Sequence, residues 1–529
     1  MNATRTAREP EYAPTRTDRL LAALGGLVSA YVSLAVADVV AARVRPEAGP
    51  VPAVGGAVVD RTPAGLKEWA IRAFGESDKA VLQLGILVLL GLLALGVGLL
   101  ALRHRPLGAA AVGAFGVLGA LAAVTRPDSD SALDAVPSLV GAAAGAALLY
   151  VLAGRLRTPR PGADHADRRG FLIVAGSAGL AATGAAALGR TVGTPVQEHA
   201  EASRAALRLP RPDSPAPPVP PGTQLRVPGI GPFFTPNRDF YRVDTALVVP
   251  KVDADRWRLR LHGSGVREER TYSLQELTAR DTVERDITLA CVSNEVGGPY
   301  VGNARWLGVR LADLLREAGV RPPSEGGPAD QLVARSVDGM TIGTPVEEVM
   351  DGRDALLAFG MNGEPLPFAH GFPVRMIVPG LYGYVSACKW IRSIELTTFD
   401  AYDAYWVPRG WAAQAPVKTQ SRIDTPRPFA RPAAGTVMVA GVAWAQHRGI
   451  RRVEVRIDDG PWHDATLAAE DNRDTWRQWT YPWAATPGSH TLTVRATDGT
   501  GTTQPERRTS TMPDGAQGWH SVGVRVEGG

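Results

Sequence analysis

The stretch 286–298, DITLACVSNEVGG, ends a short apolar run with a cysteine and follows it with Asn294 and two glycines. Only one other cysteine, Cys388, occurs in the 529 residues. A thiol so placed has three chemistries open to it. It packs a core as a small hydrophobe, pairs with Cys388 in a disulfide, or holds a soft metal as a thiolate. The run Ile287-Thr288-Leu289-Ala290 reads as a strand that delivers Cys291 to a loop. Gly297 and Gly298 keep the backbone of that loop open to close approach.

The elements that must position this loop lie in a chain of two textures. Up to about residue 190, Ala, Gly, Leu and Val dominate in long runs; beyond it, charged, aromatic and turn-forming residues alternate. The length allows two or three domains, each with its own core. A net charge of +4, from 57 basic and 53 acidic residues evenly spread, argues against nucleic acid as a partner.

Five apolar segments approach the roughly 20 residues that a bilayer span needs: 20–42, 81–102, 107–124, 132–153 and 171–189. With the N-terminus inside, the inner connections carry Arg5, Arg8, Arg16, Arg19, Arg103, Arg105, Arg155, Arg157, Arg160, Arg168 and Arg169. The outer ones carry fewer, Arg43, Arg45, Arg61, Lys67, Arg72, Lys79 and Arg126, mixed with acids. An odd number of spans then puts the C-terminal part outside the cytoplasm. No ionisable pair within the spans marks an ion path, and His104 lies in a connection, so the helices read as an anchor or docking surface.

The fifth span is preceded by DRRGFLIVAG, whose Arg168-Arg169 pair resembles the twin-arginine export signal that carries folded proteins. Basic residues there also satisfy the positive-inside rule. After it, LPRPDSPAPPVPPG (209–222) reads as the core of an extended, semi-rigid proline-rich linker over 191–222. Residues 223–415 mix strand-like runs such as WRLRLHG and VRMIVPG with helical segments such as LADLLREAG, whose Leu311, Leu314 and Leu315 share a face. That is an α+β domain. Over 416–529, IRRVEVRIDDG and HTLTVRATDGTG alternate with period two and end in Asp-Gly turns, suggesting an immunoglobulin-like β-sandwich.

Between 355 and 397 the motifs MNGEPLP, HGFPVR, VPG and a Lys-Trp pair follow one another, after CVSNEVGG and ARWLGVRLADLL and before YWVPRGW. Together they resemble the molybdopterin domain of the sulfite oxidase family, over roughly 225–529. The resemblance implies a molybdenum–molybdopterin cofactor with Cys291 as the metal's protein ligand. It also implies that Arg375, Lys389 and His370 hold the pterin phosphate, that Asn294 and Tyr241 belong to the cofactor site, and that the C-terminal domain is of the family's dimerisation type, allowing a homodimer. A cysteine thiolate is the soft anionic donor that such a metal needs. Arginine's planar fork and lysine's point charge suit a phosphate.

Three departures stand out. Where the family keeps arginines after the ligand cysteine, this chain has Glu295 and Val296; the family's Arg-Asn-His run falls on Val243, Asp244 and Thr245; and Trp411 replaces a tyrosine. Arg242, one residue from its expected place, is the cation that could compensate. Arg242 and Trp411 are therefore the candidate catalytic residues beside Cys291. The reading is a multi-pass, membrane-anchored, extracytoplasmic molybdenum oxidoreductase that transfers an oxygen atom to or from a small molecule. Free sulfite is expected to be a poor substrate. No C-x-x-C-H haem motif occurs, so electrons pass through a separate partner. The alternatives are an S- or N-oxide reductase, like the methionine sulfoxide reductases that share this domain, and a non-catalytic, membrane-tethered binding protein.

Overall fold

The computed structural model describes residues 15–63 and 78–528 except 127, 130, 158–163 and 192–194, with Leu66, Trp69 and Phe74 between. Arg5, Arg8, Lys67, Arg72 and Arg160 of the topology argument lie outside the described residues. The chain divides into two compact units, residues 1–198 with Thr245–Val248, and His199–Asp244 with Val249–Gly529.

Among the described residues of the first unit, five helices are long and apolar enough to cross a membrane: Arg16–Val44, Ala80–Arg103, Arg105–Val124, Ala132–Leu156 and Arg168–Ala187. They coincide with the five apolar segments of the sequence. Small residues let them meet closely. A Cβ on Gly26 would overlap the Ala94 carbonyl, and one on Gly98 the Ala22 carbonyl, so the first two helices cross backbone to backbone. Leu84, Leu89 and Leu92 are 58–62% exposed on the second helix. Arg45 is paired with Asp128 at 2.7 Å and with Asp134 at 2.6 Å, tying the connections together at one end. Arg168 meets Asp18 of the first helix at 3.3 Å.

Part of the expected linker is a helix, Pro195–Ala206. Proline at a first helical position followed by Gln, Glu and Ala favours that outcome. The proline-rich part after it is packed rather than standing free. Ser214 N–H donates to Thr282 O at 3.0 Å, Glu284 N–H donates to Ser214 O at 2.9 Å, and Arg285 Nη2 reaches the Ser214 hydroxyl at 3.0 Å.

Two five-stranded sheets follow. In the first, β2 (Arg270–Ser273), β1 (Arg258–Gly263), β10 (Ile391–Thr397), β5 (Gln331–Ser336) and β6 (Thr341–Pro345) lie in that order, with β1 and β10 parallel. The second runs β3 (Val283–Ala290), β4 (Val301–Arg310), β7 (Leu356–Met361) and β8 (Glu364–Pro365), with β9 (Arg375–Ile377) also paired to β7. Alternation does the sorting: Leu259 and Leu261 go inward while Arg258 and Arg260 face out. The inward residues join Leu289, Trp306, Leu357, Phe359 and Ile394 in one core, each such side chain contributing about 1.5–3 kcal/mol on burial.

The C-terminal part is two four-stranded antiparallel sheets. One runs β11 (Gln420–Thr425), β12 (Gly435–Trp444), β16 (Arg477–Ala485), β15 (Thr466–Leu467); the other runs β14 (Trp462–Asp464), β13 (Ile450–Ile457), β17 (Gly488–Asp498), β18 (His520–Val526). Val439 and Trp479 of the first sheet share a core with Val453, Val455, Leu492, Val494 and Val522 of the second. The period-two runs thus bury one face of each sheet against the other.

Candidate active site

Cys291 follows the last residue of β3 and is 8% exposed. The strand's register is held from outside its own sheet. Thr288 N–H donates to Asp474 O at 2.9 Å, Trp476 N–H donates to the Thr288 hydroxyl at 2.7 Å, and Gln446 Nε2 donates to Thr288 O at 2.9 Å. Beyond the strand, Cys291 N–H donates to Tyr300 O at 2.9 Å, and Asn294 Oδ1 accepts from Tyr300 N–H at 2.8 Å, closing the loop on itself. Gly297 has φ +80°, and a Cβ there would run into His520 of β18; Arg422 of β11 donates to Gly298 O at 2.9 Å. The C-terminal sheets therefore grip the cysteine loop directly.

Both cysteines are free and buried. Burial pushes the Cys291 thiol up, while hydrogen bonds from the Ser293 backbone and hydroxyl, and the Lys389 charge, pull it back toward the thiolate.

Around it, β9 and the segments flanking it bring the cations. Arg375 is 4% exposed; Nη1 donates to His370 O at 3.2 Å, the guanidinium lies 5.0 Å from the Trp306 ring centre, and Nε is buried without a partner. Desolvation lowers it to about 10. Lys389 Nζ meets Asp244 Oδ2 at 2.7 Å. Burial lowers its pKa and the Asp244 carboxylate opposes that shift. His370 Nε2 donates to Asn237 O at 3.0 Å, leaving Nδ1 as the proton-free nitrogen of a ring lowered to about 4 by burial, then by Arg375 and Lys389. The expected ring donor is thus already committed to the backbone.

Tyr241 is half-buried, stacked on Phe240 at 5.2 Å, and its hydroxyl is pushed up by desolvation and then by Cys291. Asn294 is 2% exposed, and its Nδ2 is buried without a partner. Arg242 is chelated by Asp244, Nε to Oδ2 at 2.8 Å and Nη2 to Oδ1 at 3.3 Å. Trp411 is 6% exposed, and its ring contacts are with Tyr384 at 5.7 Å and Trp406 at 6.3 Å. So Cys291, Tyr241, His370, Arg375 and Lys389 are coupled electrostatically, Arg242 joins through Asp244, and Trp411 packs a neighbouring aromatic cluster.

Sequence reasoning missed Ser293, Tyr382 and the pairing role of Asp244. Ser293, two residues after the cysteine, was readable as a donor within reach of the sulfur. Tyr382, 1% exposed and pushed up by burial with Cys291 among the causes, carried no local signal.

A phosphate-bearing, metal-carrying group fits these residues. The buried Arg375 Nε and Asn294 Nδ2 lack partners, as donors awaiting an acceptor do, and a soft donor stands at Cys291. The comparisons with known proteins agree. Residues 246–406 match the oxidoreductase molybdopterin binding domain, and residues 413–527 the Mo-co oxidoreductase dimerisation domain. Mitochondrial sulfite oxidase of Rattus norvegicus is 30% identical over 288 residues, 47% of this chain and 52% of that protein. The uncharacterized oxidoreductase YuiH of Bacillus subtilis (strain 168) is 31% identical over 159 residues, 30% of this chain and 74% of that one. Among solved structures, the sulfane dehydrogenase SoxCD from Paracoccus pantotrophus aligns with 25% identity over 51% of this chain and 74% of that one, at a TM-score of 0.45. The fold and the matches define a molybdopterin-binding oxidoreductase. The chain belongs to the sulfite oxidase family of these enzymes. It spans about half the length of the mitochondrial sulfite oxidases that it matches.

Proposed function

We propose that this chain is a membrane-anchored, extracytoplasmic molybdenum-cofactor enzyme that transfers an oxygen atom to or from a small substrate, with Cys291 as the metal's protein ligand. The observation that carries the reading is the buried, partnerless Nε of Arg375, whose charge acts on Lys389, the cation that in turn acts on Cys291. An unpaired buried cation is costly unless an anion completes it. When bound, the cofactor supplies a two-electron metal centre able to take up or release an oxygen atom.

The chain's own residues do the rest. Lys389 and the Ser293 donors favour the Cys291 thiolate, the form that ligates. Arg375 and Lys389 hold the pterin phosphate, and neutral His370 orients the segment by its bond to Asn237. Asn294 and Tyr241 line the cofactor side, and the Tyr384, Trp406 and Trp411 rings form an apolar wall that excludes water.

Five apolar helices with leucines exposed on their flanks support the anchor, and Arg168-Arg169 supports export of a loaded, folded domain. The facing β-sheets read as immunoglobulin-like, and the dimerisation-domain match supports a homodimer. Electrons pass through a separate partner. Reduction of an S- or N-oxide is the second reading, favoured by Arg242 being held by Asp244.

The test is metal and pterin content of the full chain purified in detergent. Wild type should carry stoichiometric molybdenum and pterin fluorescence. Arg375→Met should lose most of both, a weakening of about 10–100-fold, as removal of a charge-assisted hydrogen bond of ~1.5–3 kcal/mol requires. A metal-free wild type from molybdenum-replete cells overturns the reading.

A further inference from the structure

We infer that Asp244 sets the substrate class of the Cys291 site, selecting uncharged oxygen donors or acceptors over tetrahedral oxyanions by clasping Arg242 and Lys389 and cancelling one of their two charges. The inference rests on the reading of the site given above and deepens it.

Asp244 is a buried carboxylate, its side chain 4% exposed, and one of its oxygens serves two cations: Oδ2 receives Lys389 Nζ at 2.7 Å and Arg242 Nε at 2.8 Å. The other accepts Arg242 Nη2 at 3.3 Å, so the guanidinium is clasped by both oxygens. A fork held bidentately is fixed in direction as well as in charge. Arg242 is therefore not a cation that swings toward an incoming anion.

The charge count decides the rest. Arg242, Lys389 and Arg375 bring three positive charges, and Asp244 removes one. A phosphate monoester carries about −1.5 to −2 near neutrality, which consumes what remains. The Cys291 thiolate adds a further negative charge. The loop after the cysteine offers Glu295 and Val296. Arg409, the cation nearest Trp411 in sequence, lies 3.7 Å from the centre of the Tyr405 ring. A second dianion would enter a partly buried site whose cations are already matched, at a cost of several kcal/mol. A neutral S- or N-oxide bears no such penalty. Asparagine is the near-isosteric neutral counterpart of Asp244, so the site's charge hangs on one carboxylate.

The experiment uses the full chain in detergent and sulfate, an unreactive tetrahedral dianion, followed by calorimetry. Molybdenum is measured on every preparation. Asp244→Asn should tighten sulfate binding at least tenfold and raise kcat/KM for sulfite by a similar factor, whereas Asp244→Glu should bind sulfate as wild type does. Arg242→Gln, which lowers the site's charge by one and leaves Asp244 to Lys389 alone, should bind sulfate no more tightly than wild type. The inference is overturned if Asp244→Asn retains molybdenum and binds sulfate no better, or if Arg242→Gln binds sulfate more tightly than wild type. A wild type without molybdenum would count against the cofactor reading alone, because the sulfate comparison still decides what Asp244 does.

Discussion

Cys291 and Cys388 are both buried, both free, and both raised by desolvation, yet their surroundings differ in kind. At Cys291, after burial, hydrogen bonds from Ser293 and the charge of Lys389 all favour the thiolate. At Cys388 the Asp338 carboxylate comes next and opposes it, ahead of Arg375 and Arg335. The sulfur of Cys388 lies 3.7 Å from its neighbour's carbonyl, Lys389 O, as a thiol donor would. Burial alone therefore does not distinguish the proposed ligand, Cys291, from Cys388; the sign of the charge beside each thiol does.

The strongest way to break this contrast is to exchange serine for each sulfur. Cys291→Ser should lower molybdenum-dependent turnover by about 10³-fold or more, ~4 kcal/mol in activation free energy. Cys388→Ser should stay within a few-fold. Oxide-reduction and sulfite-oxidation assays, each normalised to folded protein, measure it, and equal losses would erase the distinction.

Next in size is the loop's backbone. Gly297→Ala places a side chain at φ +80° and against His520, so the unit should lose about 1–3 kcal/mol in denaturant unfolding. His520→Ala in the same background should recover part of that loss by removing the clash.

The smallest effect is that of pH. His520, whose Nδ1 accepts Ile423 N–H at 3.0 Å, is lowered to about 4 by burial, then by Arg508 and Arg422. A histidine depressed in the folded state contributes stability that is full above its unfolded value near 6.5 and is lost as pH falls from there toward about 4. Hydrogen exchange at residues 292–300 should therefore quicken over that window, while residues 385–390, away from His520, change less. His520→Gln should flatten the difference.

How much of this was legible beforehand varies from residue to residue. The end of β3 at Cys291 was readable, because an apolar run followed by Asn and two glycines is a local pattern. The five long helices were readable for the same reason, as were β13 and β17 with their period-two alternation. Arg375, His370 and Lys389 were found through ordered motifs, since nothing in the 79 to 98 positions separating them from Cys291 predicts contact. The sheet order β3, β4, β7 with β9 on β7 is what closes that distance. Asp244 looked like a lost family position and is a partner, because its two cations are one 2 and the other 145 residues away. Trp411 came from a neighbouring motif, and its ring contacts with Tyr384 and Trp406 carried no local signal. The helix Pro195–Ala206 was hidden by the prolines around it.

β3 has a paired strand, β4, on only one side. Its other side is occupied by single residues, Ser214 near its start and Asp474, Trp476 and Gln446 near its end, the last three from the segments that follow β12 and precede β16. Those contacts act as edge protection. A chain cut before residue 413 would keep every candidate ligand of the cofactor and yet expose an unpaired strand edge, the template on which β-proteins aggregate. Solubility of the oxidoreductase fold is thus built into the very segments that a domain dissection would discard.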